Sequence, residues 1–306
     1  MRPSSSPISA EFSASFKSGV LAVGGLRKAV MASSCLTKET TIAVIGVGKI
    51  GEAIVRALLK AGFKNVIGTV RTKRRKERLK ELGIPVLLDN REAVKGAEVV
   101  FLCVKPHQVP GVLRKVSDLL AGKLLISVAA AVRTDYLEAL ALGARVVRAM
   151  PNINITVGCS ATAITPGRTA SEEDLAVAKE LFDLMGYCVI VEERYMDAIT
   201  AYSGSGPAFA FVFFEALLLA GLKVGLPRDI ALELAIHTLT GTAKLLEATK
   251  AHPAELRDMV ITPGGVTIEG VHVLERAGFR AIIMDAVNET YRKAADIART
   301  LNSEIS

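Results

Sequence analysis

Residues 42–58, IAVIGVGKIGEAIVRAL, decide the fold of this 306-residue chain. The run from Ile42 to Ile45 is unbroken apolar, as a strand covered on both faces must be. It passes without a spacer into Gly46, Val47, Gly48, Lys49, Ile50 and Gly51, a GxGxxG. Ile50, Ala53, Ile54, Ala57 and Leu58 then recur at the spacing of one helix face. A second apolar run, VIGTV at 66–70, follows Gly62 and completes a βαβ unit. In such a unit Gly46 permits the tight turn, Gly48 lets a pyrophosphate approach the backbone, and Gly51 lets helix and strand sit close. The helix N-terminus offers N–H groups to the phosphates. A lone GxGxxG reads equally as a plain glycine turn; the strand before it and the amphipathic helix after it favour dinucleotide binding.

The end of the second strand separates the two nicotinamide cofactors. A site for NAD places an acid there for the ribose hydroxyls. This chain has Thr69, Val70, Arg71, Thr72, Lys73, Arg74 and Arg75 instead. Basic and hydroxyl groups at that point suit a 2′-phosphate, so NADPH is favoured and NADH is the alternative. A solvated helix face is the competing reading of a charge run. A nucleic-acid surface is disfavoured, because no aromatics are interleaved and no binding motif lies beside the run.

The strand signals continue at 99–104 (VVFLCV), 124–128 (LLISV) and 145–150 (RVVRAM), with shorter runs at 161–164 and 188–191 around a helix beginning near Ser171. The fold class expected is α/β: an N-terminal Rossmann-type doubly wound sheet followed by an all-helical dimerisation domain. In a parallel sheet, ligands lie beyond the carboxyl ends of the strands. Val104, Lys105, Pro106, Ala129, Ala130 and Asn152 fall at such ends and are expected near the nicotinamide.

The net charge of +7 is not a property of the whole surface. Residues 1–38 carry +4 and residues 71–80 carry +6, leaving −3 for the rest. Residues 1–38, with nine serines and one acid, are expected to be a disordered extension, a misplaced start or an organelle transit peptide. The protein is therefore expected in the cytoplasm, or in plastid or mitochondrial matrix if that tail is cleaved as a transit peptide. The domain division expected is 1–38 for the tail, 39–194 for the NADP-binding domain and 195–306 for a helical substrate-binding and dimerisation domain. Four scattered cysteines make no disulfide or CxxC pattern and suit a reducing compartment. No metal is expected, since no ligand spacing joins the histidines. The longest apolar run, 208–222, contains Glu215 and falls short of the ~20 residues a membrane span requires.

Beyond Glu193 strand signals cease. Residues 203–207, SGSGP, read as a hydroxyl- and glycine-rich turn with Pro207 opening a helix. That helix is apolar on nearly every side and holds four of the ten phenylalanines, so it must be surrounded. One small helical domain cannot cover it, which points to an interlocked homodimer; a core helix of a monomer is the other reading. GLP at 225–227 restarts a helix running to about Ala248. Farther on, Pro263-Gly264-Gly265 makes a turn, with Thr267 in the first turn of the next helix. Successive N–H groups at Gly264, Gly265, Val266 and Thr267 are expected to be free to hold a carboxylate. A plain helix–turn–helix joint is the alternative.

The stretch 252–275, HPAELRDMVITPGGVTIEGVHVLE, resembles the signature of the pyrroline-5-carboxylate reductase family, as do SGSGPAF at 203–209, GLP at 225–227 and VKP at 104–106. The resemblance runs from about Thr41 to Ala298. It implies NADPH on the loop of Gly46, Gly48 and Gly51, and the substrate carboxylate at the turn 263–267. The Thr267 hydroxyl would then lie near the imine nitrogen, in a pocket completed by a second subunit. Thr262 stands where the family commonly has serine, which keeps the hydroxyl among the substrate-binding residues Thr262, Pro263, Gly264, Gly265, Val266 and Thr267. Ala131 replaces a frequent glycine, and Ile153-Asn154 replaces a common Thr-Pro or Thr-Ala.

The activity implied is hydride transfer from NADPH to the cyclic imine, the last step of proline biosynthesis. A protonated imine is already an electrophile, so orientation and exclusion of water can supply most of the acceleration. Thr267 is assigned a polarising or proton-delivering role. The alternatives are a reductase of another small cyclic imine, a 3-hydroxyacid dehydrogenase, or a non-catalytic NADPH-binding paralogue. A dehydrogenase of that kind would want a lysine, and neither Lys223 nor Lys244 sits in a matching motif. The partners expected are a small-molecule substrate and further copies of the chain, as a homodimer or a larger homo-oligomer built from dimers, without nucleic acid or membrane.

Overall fold

A computed structural model describes residues 36–302. Most of the expected tail lies outside the described residues. Its last three positions, by contrast, belong to the fold: Leu36 packs on the core, and the Lys38 ammonium sits 4.1 Å from the centre of the Phe63 ring. The chain divides into two compact units, one of residues up to Gly204 with those from Ala294 onward, the other Ser205–Lys293.

The first unit is an eight-stranded sheet. Its strands are β1 (Ile42–Ile45), β2 (Val66–Thr69), β3 (Val86–Leu87), β4 (Val99–Leu102), β5 (Leu124–Ser127), β6 (Arg145–Met150), β7 (Ser160–Pro166) and β8 (Gly186–Ile190). They run in the order β3-β2-β1-β4-β5-β6-β7-β8, all parallel except where β6 meets β7. The chain reverses its winding between β1 and β4, which opens a crevice beyond their carboxyl ends. β3 gave no sequence signal because two residues are too few to show a period. The antiparallel β6–β7 pairing follows from the short link 151–159, which cannot make a parallel crossover.

Alternation along the strands sorts the core into two layers. Ile42, Val44, Val99, Phe101 and Ile126 face the helices α1 (Lys49–Lys60) and α6 (Glu172–Asp183). Ala43, Ile45, Val100, Leu102 and Leu125 face α3 (Asn90–Lys95), α4 (Val109–Val116) and α5 (Thr134–Leu140). Helices on both faces explain why the strands read as continuous apolar runs. Each fully buried aliphatic side chain contributes about 1.5–3 kcal/mol of burial, and the edge-on contact of Phe101 with Phe182, 6.0 Å between centroids, ties β4 to α6. Ser171 caps α6 reciprocally with Asp174. A short helix, α2 (Lys73–Arg78), follows β2.

β6 also carries Arg148, 1 % exposed, whose guanidinium meets the Glu193 carboxylate and, at 3.4 Å, that of Asp197. These pairs fasten the start of α7 (Met196–Ile199) to the sheet. One oxygen of Glu193, Oε2, is buried without a hydrogen-bond partner.

The segment 203–207 differs from the expected turn. Residues Thr200–Gly204 form a π-helical turn that joins α7 to α8 (Gly206–Lys223) in one helical run. Asn152 Nδ2 donates to the Ser203 carbonyl and the Ser203 hydroxyl donates to that of Ala161, which fixes this turn to the sheet. The joined run, Glu193–Lys223, is long and apolar enough by length and composition to cross a membrane, where the apolar stretch of the sequence alone fell short.

The second unit continues with α9 (Arg228–Thr249), α10 (Pro253–Asp258), α11 (Val266–Arg276) and α12 (Phe279–Asn302), the last running on into the first unit. Gly225, at φ +91°, ends α8 and lets Leu226 N–H reach the Gly221 carbonyl. Gly221 lies so near α9 that a Cβ there would be 2.7 Å from the Ala231 methyl. Yet among the described residues of this unit only Ala231 and Ala235 are buried. Phe211, Val212 and Leu219 on α8 are 63 %, 68 % and 55 % exposed in the single chain. A helix bundle with so little of its own core needs another surface to cover it.

Candidate active site

A cavity of about 650 Å³ opens at the β1–β4 crevice, built from the glycine loop, the end of β2 and the segments after β4 and β5. Its walls include Gly46, Val47, Gly48, Lys49, Ile50, Arg71, Thr72, Val104, Lys105, Pro106 and Ala130, all singled out from the sequence.

The three glycines divide their work. Gly46 has φ +89°, and a Cβ there would meet Val104 Cγ1 at 2.8 Å. At Gly51 a Cβ would lie 2.6 Å from the Gly46 carbonyl oxygen, so this residue lets α1 close on the loop and sits under the cavity rather than in its wall. Gly48 differs, because the nearest protein atom to its Cβ position is 4.0 Å away. Protein packing does not require glycine at 48, and the loop leaves open space at that position. A phosphate drawn against bare backbone fits these residues.

The basic rim is selective. Of the run 71–80 only Arg71, Thr72 and Arg75 line the cavity. Thr72 caps α2, its hydroxyl accepting from Arg75 N–H. Arg75 stands one helical turn on and so shares the face of Thr72. Its Nε donates to the Val47 carbonyl at 3.2 Å, and its Nη2 meets Glu52 Oε2 at 3.0 Å.

Beyond β5 the extended backbone alternates. Val128 and Ala130 line the cavity, while Ala129 points the other way into the core and is 2 % exposed. Val128 was legible from period-two alternation once Ala130 was placed. Asn152 is not in the cavity wall: Oδ1 accepts from Asn154 N–H, and Nδ2 is used by Ser203. Val70, Cys103 and Gln108 complete the wall without having been singled out. Gln108 Oε1 accepts from Lys105 N–H and closes the turn after β4. Desolvation pushes the Cys103 thiol well above its ordinary pKa, which favours the neutral thiol. Among the described residues no group of three or more His, Cys, Asp or Glu could hold a metal.

The turn 262–267 belongs to the second unit and is described by itself. Gly264 adopts φ +67° and Gly265 is the N-cap of α11, so Val266 and Thr267 open that helix. The expectation of four successive free N–H groups is corrected at Gly265, which donates to the Thr262 carbonyl at 2.9 Å. A Cβ at Gly265 would fall 2.2 Å from Thr262 Oγ1, so the loop closes on the threonine. The N–H groups of Val266 and Thr267 have no preceding helical turn to receive them and can bind an anion. Upstream, His252 Nδ1 accepts from Ala254 N–H and caps α10, a structural task.

Comparison with known proteins places this arrangement. Residues 193–297 match the family described as pyrroline-5-carboxylate reductase dimerisation, and residues 41–131 match that described as NADP oxidoreductase, coenzyme F420-dependent. A pyrroline-5-carboxylate reductase of Methanosarcina acetivorans is 41 % identical over 264 residues, 84 % of this chain and 98 % of that protein. One of Glycine max is 39 % identical over 264 residues, covering 84 % and 96 %. The crystal structure of Plasmodium falciparum pyrroline carboxylate reductase with NADP bound superposes with a TM-score of 0.79 at 25 % identity, over 86 % of this chain and 100 % of that one. The chain belongs to the pyrroline-5-carboxylate reductase family.

Proposed function

We propose that the protein reduces L-1-pyrroline-5-carboxylate to L-proline with NADPH. The observation that carries this reading is identity of about two residues in five across nearly the whole length of relatives bearing that activity in their names. The open floor at Gly48 and the NADP in the Plasmodium structure support the cofactor. When bound, the nicotinamide supplies a hydride to C5 of the cyclic imine, whose nitrogen ends protonated.

The chain's own residues hold and orient. Gly46, Val47, Gly48, Lys49 and Ile50 cradle the dinucleotide phosphates, with Gly51 keeping the loop close to α1. Arg71 and Thr72 receive the ribose phosphate. Val104, Lys105, Pro106 and Ala130 bound the nicotinamide end, with Ala129 and Asn152 setting the backbone there. The turn of Thr262, Pro263, Gly264, Gly265, Val266 and Thr267 receives the substrate carboxylate on the N–H groups of Val266 and Thr267, with the Gly265 N–H spent in closing the loop on Thr262, and the Thr267 hydroxyl polarises the imine nitrogen. On this reading residues 39–194 serve the cofactor and 195–306 the substrate and the dimer contact, a functional division that falls ahead of the break between the compact units at Gly204. The exposed apolar surface of α8 is covered by a second copy of the chain, giving a homodimer or an oligomer of dimers. The enzyme works in the cytoplasm.

The test is direct. Purified protein should oxidise NADPH on addition of pyrroline-5-carboxylate, with proline formed in equal amount, and far more slowly with other cyclic imines. Absence of oxidation with every imine would overturn the reading.

A further inference from the structure

Arg75 is fastened at the rim of the cavity by two guanidinium contacts, to the Val47 carbonyl and to Glu52 Oε2. A guanidinium carries five N–H donors, so three remain. Glu52 sits in the first turn of α1, one residue past the glycine motif, and lines no part of the cavity. Its other oxygen takes Arg56 through Nε at 3.2 Å and Nη2 at 3.0 Å, and Arg56 reaches Glu81 at 2.7 Å. The carboxylate is thus held from two sides. α2 buries none of its side chains. Leu79, buried just past its end, secures one side, and the other rests on the Thr72 cap and the Arg75 contacts.

An arginine on an open rim samples many rotamers, and holding one of them for a ligand costs entropy at the moment of binding. Glu52 removes that cost in advance. Both partners are about three-quarters covered, 26 % and 24 % exposed, so the pair is less screened than one in open solvent. Six other basic residues lie between 71 and 80, and Glu52 pairs with none of those six.

We infer that Glu52 is a positioning residue for cofactor choice. It holds Arg75 where the guanidinium meets the ribose 2′-phosphate that separates NADPH from NADH, an inference that rests on the NADPH reading above. The pair works in both directions. With Arg75 in place the Glu52 charge is neutralised. Without Arg75 the carboxylate keeps only Arg56, which it shares with Glu81, and its charge, one side chain from the rim, repels a dianionic phosphate more strongly.

The experiment titrates the full-length protein with NADPH and, separately, NADH, following nucleotide fluorescence with no imine present. Glu52→Gln should raise the Kd for NADPH by about three- to tenfold and that for NADH by less than about twofold, with Glu52→Asp recovering part of the loss. Arg75→Gln should raise the NADPH Kd by about tenfold or more, and the double variant should bind NADPH no more weakly than Arg75→Gln alone. A Glu52→Gln that weakens both cofactors equally, or neither, overturns the inference, as does a double variant whose losses multiply. Thermal unfolding checks each variant. Should Glu52→Gln not fold, Arg75→Lys, which keeps the charge but loses the Nε contact, must lower the preference for NADPH. A wild-type protein without preference for NADPH would overturn the cofactor reading itself; a wild-type preference left intact in Glu52→Gln overturns only the role of Glu52.

Discussion

Gly51 lies directly against the Gly46 carbonyl: a Cβ on Gly51 would stand 2.6 Å from that oxygen and 3.3 Å from Cys103 Cβ. The last glycine of the loop is therefore a packing glycine, whereas Gly48 faces open space. Gly51→Ala should destabilise the fold by about 1–3 kcal/mol through overpacking and displace the loop. Gly48→Ala should leave unfolding within about 0.5 kcal/mol of wild type and still weaken NADPH binding. Thermal unfolding alongside cofactor titration separates the two.

Ala131 carries a side chain at φ +63°, in the left-handed region where a Cβ costs about 1–2 kcal/mol. Part of the gain from glycine is offset by the greater freedom of the unfolded chain. Ala131→Gly should stabilise by about 0.5–1 kcal/mol, seen as a rise of about 2 °C in Tm. A fall in Tm would mean that the methyl is held by packing worth more than the strain.

Val212 on α8 is 68 % exposed in the single chain, so the described residues leave a charge there open to solvent. Val212→Glu should leave the first unit's fold intact but abolish self-association, because a carboxylate buried at an apolar interface without a partner costs several kcal/mol. Sedimentation should show monomer, and turnover should fall with it. A variant that stays oligomeric would place the contact elsewhere.

Thr267 is the second residue of α11 and projects from the turn assigned to the substrate. Thr267→Ala should lower kcat by about a hundredfold, the low end of the range for losing one polarising donor, while the Kd for NADPH stays near wild type. Unchanged turnover would remove Thr267 from the chemistry and leave its backbone N–H as its only contribution.

Much of this protein could be read before any coordinate. The strand IAVI, the glycines 46, 48 and 51, the helix after them and the Thr267 helix start are local features. Period, turn chemistry and capping act within a few residues of chain, so the sequence states them directly. The apolar circumference of α8 likewise announced, through composition alone, a surface that must be covered.

Other features depend on what the fold brings together. Which of the cations between 71 and 80 reaches the cavity is decided by Glu52 and the Val47 carbonyl, more than twenty positions away in sequence. That Ala129 turns inward while its neighbours line the cavity depends on the register of β5 beside β4. The residues SGSGP look like a turn because glycine and serine favour turns, yet the contact of Asn152 with Ser203 and the fastening of α7 by Arg148 hold them in a helical run. The free amide expected at Gly265 is consumed by a carbonyl three residues back, through a loop closure that only the φ of Gly264 permits. In short, the chain by itself determined its elements and the chemistry they carry, since those follow from neighbours along the backbone. The tertiary structure decided which side chains face the site and which are taken up in holding it, because long-range hydrogen bonds and packing compete for the same groups.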